Sequence, residues 1–151
     1  MQITENDFLF SDQKELLQID AIHSYLSKES YWAKNIPLDI VKRSIDNSLC
    51  FGIYKKGEQI GFARWVTDKA TFGWLCDVYI STAYRGLGLS KKLMAFMIFH
   101  PDLQGLRRYQ LATIDAHRLY EQYGFKALEN PDRQMGIVLP NPYQNTDTEV
   151  D

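Results

Sequence analysis

Cysteine is scarce in this chain of 151 residues, with only Cys50 and Cys76. Two cysteines suggest no disulfide framework and form no metal-ligand spacing, and a reducing, cytoplasmic setting is the expectation. A basic surplus is missing as well. Seventeen Lys and Arg against nineteen Asp and Glu leave a net charge of −2. Nucleic-acid-binding domains carry a clustered excess of Lys and Arg, so no nucleic-acid partner is expected. No apolar run approaches the ~18 residues that a membrane-crossing helix needs, and the N-terminus lacks a basic, apolar, cleavable leader. A soluble protein without a membrane partner is expected. No Gly-Lys pair occurs, which removes the phosphate loop G-x-x-x-x-G-K-[ST]. No internal repeat and no metal-ligand spacing is present, so no metal site is expected.

The chain has the means to build one domain: its length and 45% hydrophobic residues are ordinary for a globular core. Its most telling stretch is Arg85-Gly86-Leu87-Gly88-Leu89-Ser90-Lys91-Lys92. A β-rich apolar segment (75–80) precedes it and an apolar helical segment (93–99) follows. Strand, glycine turn and helix together make an anion site. The first N–H groups of a helix lack internal partners, and the helix dipole adds positive potential there. Gly86 and Gly88 remove the Cβ atoms that would hold a phosphate away. Arg85, Lys91 and Lys92 add positive charge. The natural ligand is a pyrophosphate on a larger molecule. The dinucleotide fingerprint does not fit, because Lys91 stands where its third glycine belongs.

The spacing that fits is Arg85-x-x-Gly88-x-Ser90. It resembles the acyl-CoA-binding motif of the GNAT superfamily of N-acetyltransferases, [QR]-x-x-G-x-[GA], with Ser90 as a small departure. A second segment resembles the family's other signature, N-x-x-A-x-x-L-Y-x-x-x-G-F. Ala116, Leu119, Tyr120, Gly124 and Phe125 match it in order and spacing, and Thr113 stands in place of the Asn. The two motifs cover roughly residues 75–128. The resemblance implies acetyl-CoA as acyl donor and an unidentified amine as acceptor. It implies that Arg85, Gly86, Leu87, Gly88, Leu89, Ser90 and Lys91 hold the cofactor's phosphates. Backbone groups of Val78, Tyr79 and Ile80 pair with its pantetheine arm like an added strand, and Thr113 lies beside that arm.

Periodicity outlines the rest. A first strand is expected over 4–10, then a helix capped by Ser11 or Asp12, with Glu15 near the capping-box position and Leu16, Leu17, Ile19, Ile22 and Leu26 on its apolar face. A second helix starts near Leu38. A hairpin joins 49–55 to 59–66 through Lys56-Gly57-Glu58, and 71–80 adds a third strand of this meander. Helix 89–99 is ended by Pro101, strand 107–113 follows, and Asp115 caps a helix over 116–123. Segments 125–128 and 133–139 are expected to pair as final strands. The order is β-α-α-β-β-β-α-β-α-β-β, an α+β or mixed three-layer architecture. The resemblance implies a mostly antiparallel twisted sheet flanked by helices and splayed between the fourth and fifth strands. Residues 1–140 form a single domain, and 141–151 are expected to be a disordered tail. Sheet edges leave room for a homodimer.

Acetyl transfer to an amine needs a neutral amine, donors for the oxyanion and a proton for the departing thiolate. Tyr120 is the candidate acid: a phenol with a pKa of about 10 is protonated at neutral pH, and it matches the tyrosine of the family signature. The plainer reading makes it a packing residue of a short helix. Asp77 is the candidate base or amine anchor, because it interrupts the apolar run from Trp74 to Ile80. It could equally pair with an arginine such as Arg64, and an ordered water could serve as base. His117 and Cys76 are set aside. Tyr31, Trp32, Trp65, Phe72 and Trp74 could line an acceptor pocket or simply pack; packing is favoured for Trp65 and Phe72. The expected activity is N-acetyltransfer to a primary amine by direct attack in a ternary complex. The alternative is an acyl-CoA-binding sensor or regulatory module with little turnover.

Overall fold

The computed structural model describes residues 1–144. Six strands form one sheet in chain order: β1 (Gln2–Glu5), β2 (Phe8–Ser11), β3 (Leu49–Lys55), β4 (Glu58–Thr67), β5 (Phe72–Ile80) and β6 (Arg108–Leu111). Every neighbouring pair is antiparallel except β5 and β6, which are parallel. The helices are α1 (Ile19–Ser24), α2 (Leu38–Asp46), α3 (Leu89–Ile98) and α4 (His117–Glu121).

The hairpins follow from local chemistry. Lys56 and Gly57, at φ 50° and 80°, form the two-residue turn between β3 and β4. Two successive positive φ values match the right-handed twist of a hairpin. Asn6 and Asp7, at φ 49° and 66°, do the same between β1 and β2. The expected single strand over 4–10 is therefore two strands. Asn and Asp tolerate the left-handed region that a two-residue turn demands, and an apolar count alone does not register that.

The sheet separates two cores. On one face Leu89, Leu93, Met94 and Met97 of α3 pack against Phe10, Phe51, Ile53, Trp65 and Leu75. On the other, Ile22 and Leu26 with Val41 and Ile45 of α2 cover Cys50, Phe62 and Tyr79. Helix, sheet, helix gives the three layers.

The parallel pair is short. β5 and β6 pair only from Phe72↔Arg108 to Leu75↔Leu111, while β5 runs on to Ile80. The strands part at Leu75, leaving the far half of β5 with an open edge. This is the expected splay, between the fifth and sixth strands here because the N-terminal hairpin adds one.

Several local expectations are corrected. The helix over 16–26 is broken: a 3₁₀ turn (Lys14–Leu16), α1, then a π-helical turn (Tyr25–Glu29). Ser11 and Asp12 do not cap it. The Ser11 hydroxyl accepts the Gln13 N–H, and Asp12 accepts from the Met1 ammonium and sits against His100 at 2.9 Å. Glu15 lies within the 3₁₀ turn and plays no capping-box part. Asp115 does not cap α4 either; the Thr113 hydroxyl accepts the Ala116 N–H at 3.0 Å. Segments 125–128 and 133–139 form no strands. No ladder reaches them, and Met135, Ile137 and Val138 are 99%, 94% and 88% exposed. Of the expected tail, 145–151 lies outside the described residues; Tyr143 packs against the α1–α2 core.

Candidate active site

The site is built where β5 and β6 part. A cavity of about 390 Å³ lies between Leu75, Cys76, Asp77 and Val78 on one side and Leu111, Ala112, Thr113, Ile114, Asp115 and Ala116 on the other. Tyr31, Trp32, Trp74 and Tyr120 complete the lining.

Asp77 reaches this cavity through a β-bulge. Phe62 pairs with Tyr79 and Arg64 with Cys76, so Ala63 alone faces both Asp77 and Val78. Asp77 takes φ 54° there. The extra residue swaps faces, so Tyr79 joins the α1–α2 core although Leu75, four positions earlier, belongs to the α3 core. The Asp77 carboxylate is buried and engaged at both oxygens. Oδ2 accepts from Arg64 Nε at 2.5 Å, and Oδ1 accepts from Trp32 Nε1 at 2.8 Å. Arg64 also donates to the Ser48 hydroxyl at 3.1 Å. A carboxylate oxygen has a second lone pair, so the pairing still leaves Asp77 able to receive another donor. Sequence named Arg64 as one partner. It placed Trp32 only among the aromatics of the acceptor side and missed Ser48, since neither hydroxyl nor indole carries a positional signal.

Tyr120 sits in the short helix α4 and is buried. Burial, with smaller contributions from Tyr31 and Asp115, pushes its phenol up to about 12. The hydroxyl therefore keeps its proton throughout the neutral range. Asp77, on β5, and Tyr120, on α4, line the same cavity. Burial likewise raises the Cys76 thiol to about 12, which leaves it protonated and a poor acyl carrier.

The glycine turn behaves as its composition suggests. Gly86 and Gly88 adopt φ 79° and 74°, and a Cβ on either would meet nothing within 4 Å. Gly88 is the N-cap of α3, with no side chain covering the helix's first N–H groups. Leu87 is exposed and Leu89 buried, which anchors the turn to the α3 core. The arginine does something else. Arg85 donates from Nε to the Ile80 carbonyl at 3.1 Å and from a terminal nitrogen to the Tyr25 hydroxyl at 2.9 Å. Its guanidinium clamps the end of β5 to the π-helical turn instead of adding mobile charge. Tyr25 in turn stacks on Tyr79 at 3.8 Å. Lys92 pairs with Glu5 at 2.7 Å. Lys91 is exposed on the first turn of α3.

Val78, Tyr79 and Ile80 occupy the half of β5 whose edge toward β6 is open, between the cavity and the glycine turn. An extended chain laid there meets an open strand edge. Cavity, strand edge and helix N-terminus are thus consecutive along one path. No group of three His, Cys, Asp or Glu able to hold a metal occurs among the described residues. Nor is any helix among them long and apolar enough to cross a membrane.

The profile of the acetyltransferase (GNAT) family matches residues 19–125. The chain belongs to the GNAT acetyltransferases. A solved structure from Xanthomonas campestris pv. campestris, described as a "putative acetyltransferase belonging to the GNAT family", is 48% identical. It superimposes with a TM-score of 0.88 over 90% of this chain and 96% of that one. A curated "putative acetyltransferase" of Gibberella zeae is 34% identical over 90% of this chain and 89% of its own length. A spermine/spermidine N(1)-acetyltransferase of Bacillus subtilis is 32% identical over half of this chain and 57% of its own. The family uses acetyl-CoA as cosubstrate and transfers its acyl group, so the chain is an acyltransferase.

Proposed function

We propose that this GNAT enzyme transfers the acetyl group of acetyl-CoA to a primary amine in a ternary complex. The observation that carries the reading is the convergence of Asp77 and Tyr120 on one cavity at the splay of β5 and β6. Acetyl-CoA supplies the activated acyl group. The chain's own residues bind, orient and move protons. The turn of Gly86, Leu87 and Gly88, with the first N–H groups at Leu89, Ser90 and Lys91, takes the pyrophosphate. Val78, Tyr79 and Ile80 offer backbone partners to the pantetheine arm, and Thr113 lies across the cavity from them. Tyr120 holds the proton that the departing thiolate needs. Asp77, with Trp32 bonded to it and Tyr31 and Trp74 nearby, faces the amine.

Aromatic faces beside a carboxylate suit an ammonium-bearing acceptor. The likeness to a spermine/spermidine acetyltransferase supports an amine of that general kind. Asp77 accepts from the arriving ammonium, and its proton passes to Asp77 or to an ordered water before attack. The two free thiols, Cys50 and Cys76, accord with a reducing compartment. The test is release of free thiol from acetyl-CoA across small amines, polyamines, amino acids and peptides. Turnover with at least one amine, lost in Asp77→Asn, is expected. Tight CoA binding without turnover on any amine would overturn the reading in favour of an acyl-CoA sensor.

A further inference from the structure

Asp77 is aimed by two donors, and only one of them belongs to the sheet. Arg64 Nε holds Oδ2 from β4. Trp32 Nε1 reaches Oδ1 at 2.8 Å from the segment between the π-helical turn and α2, 45 positions away in sequence. A carboxylate turns easily about its last torsion, an sp³–sp² bond with broad preferences. One donor on one oxygen leaves much of that rotation open. A second donor on the other oxygen fixes the plane, and with it the direction of the remaining lone pairs.

The segment that carries Trp32 is held still. The Ser30 hydroxyl donates to the Leu26 carbonyl at 2.5 Å and accepts the Ala33 N–H at 3.1 Å. The Asn35 N–H reaches the Ser27 carbonyl and the Ile36 N–H reaches the Ala33 carbonyl, both at 3.0 Å. Ser30 and Ala33 are buried, while Tyr31 and Trp32 between them stay 58% and 42% exposed. Among the described residues, neither aromatic joins either core. Trp32 packs edge-on against Tyr31 at 5.0 Å, and both line the cavity. A tryptophan outside the core, on a pinned segment, with its N–H on a buried carboxylate, serves direction more than burial.

We propose that Trp32 is a positioning residue for acetyl transfer: its indole N–H sets the plane of the Asp77 carboxylate toward the bound amine. This rests on the reading of Asp77 as base or ammonium anchor. Arg64 supplies the counter-charge, and Trp32 supplies the orientation. The acceptor then meets a carboxylate already turned toward it, with no rotation left to freeze at the moment of attack.

The test is a double-mutant cycle on the full chain. Trp32→Phe removes the N–H and keeps an aromatic ring; Asp77→Asn removes the group being positioned. The reading is kcat for thiol release at saturating amine. CoA affinity by calorimetry and melting temperature serve as controls. Because Trp32 lies outside both cores, Trp32→Phe keeps the fold. In the wild-type background it should lower kcat roughly 10-fold, short of the ~10²-fold that a full ångström of misplacement costs, with CoA affinity unchanged. In the Asp77→Asn background the same substitution should change kcat by less than about twofold. A residue that only walls the cavity would lower kcat equally in both backgrounds. That result overturns the proposal, and so does a Trp32→Phe kcat within about twofold of wild type. In both cases Asp77→Asn alone still reports on Asp77. Wild-type turnover in Asp77→Asn, or no turnover on any amine, would remove the reading of Asp77 and this proposal together.

Discussion

Asp77 and Arg64 meet at 2.5 Å across β5 and β4, with Asp77 held in the left-handed region at φ 54°. The bulge turns the carboxylate into the cavity, and the guanidinium fixes its direction. Asp77→Asn should keep the acceptor for Trp32 and suit the backbone, since Asn tolerates positive φ. It should lower turnover by about 10²-fold or more, as expected for a base or ammonium anchor. It also leaves Arg64 without its counter-charge, so a loss of up to about 3 kcal/mol of stability is expected. Asp77→Ala should cost more, by backbone strain of roughly 1–2 kcal/mol. Urea unfolding with thiol-release kinetics decides. Turnover within twofold of wild type in Asp77→Asn would assign the pair to structure alone.

Gly88 offers a cleaner dissection of the phosphate turn. A Cβ there meets no neighbour, but φ 74° penalises any side chain. Gly88→Ala should therefore lose only about 1–2 kcal/mol. Gly88→Asp adds a negative charge at the N-terminus of α3, where the pyrophosphate must approach. Calorimetry should show CoA binding weakened in Gly88→Ala and absent in Gly88→Asp, with both variants folded. Unchanged CoA affinity in Gly88→Asp would place the phosphates elsewhere.

The strand–turn–helix around Gly88 was readable because its requirement is local: a backbone that must turn without a Cβ. The meander of β3, β4 and β5 was readable for the same reason, through alternation and the Lys56-Gly57 turn. What sequence hid is set by distant partners. Arg85 looked like a phosphate ligand, yet its guanidinium binds Ile80 and Tyr25, the latter 60 positions away. Thr113, read as a neighbour of the pantetheine arm, also caps the turn into α4. Segment 133–139 has strand composition, but no ladder reaches it, and its apolar side chains stay exposed.

Arg85 and Lys91 should separate by salt dependence. Arg85 acts through the end of β5, so Arg85→Met should lower stability by about 1–3 kcal/mol and weaken CoA binding equally at low and high salt. Lys91 faces solvent on the first turn of α3. Lys91→Met should weaken CoA binding at low salt and lose most of that effect at about 1 M, where the screening length is near 3 Å. Titrations at two ionic strengths check this, and the reverse pattern would make Arg85 the phosphate ligand.

Alkali should unfold the protein early. Burial raises the Cys50 thiol to about 11, the Cys76 thiol and Tyr120 phenol to about 12, and the Tyr54 and Tyr79 phenols further. Each group holds its proton in the fold and releases it more readily when unfolded. Their stabilisation is complete below about pH 9, the ordinary thiol range, and is lost as pH climbs toward the folded values. Cys50 alone is worth about 2–3 kcal/mol across that window. Urea midpoints should fall from pH 8.5 to 10.5, and Cys50→Ala should shift the onset upward. A flat profile over that range would show the thiols to be solvated.

Tyr120→Phe keeps the ring, which packs edge-on against Phe125 at 6.0 Å, and removes only the hydroxyl. If that hydroxyl protonates the departing thiolate, the bond matters only as charge grows on sulfur. kcat should fall while acetyl-CoA affinity holds. A CoA thiolate is a fair leaving group, so the loss should sit at the low end for acid catalysis, on the order of 10²-fold. With the phenol raised to about 12, its proton is present at every pH where the fold survives. The ratio of wild-type to variant kcat should therefore stay constant from pH 7 to about 10, where an unshifted phenol would already be half ionised. A ratio that declines toward pH 10 would mean a solvated phenol. Equal kcat values would make Tyr120 a packing residue of α4 and leave the thiolate to depart without an acid.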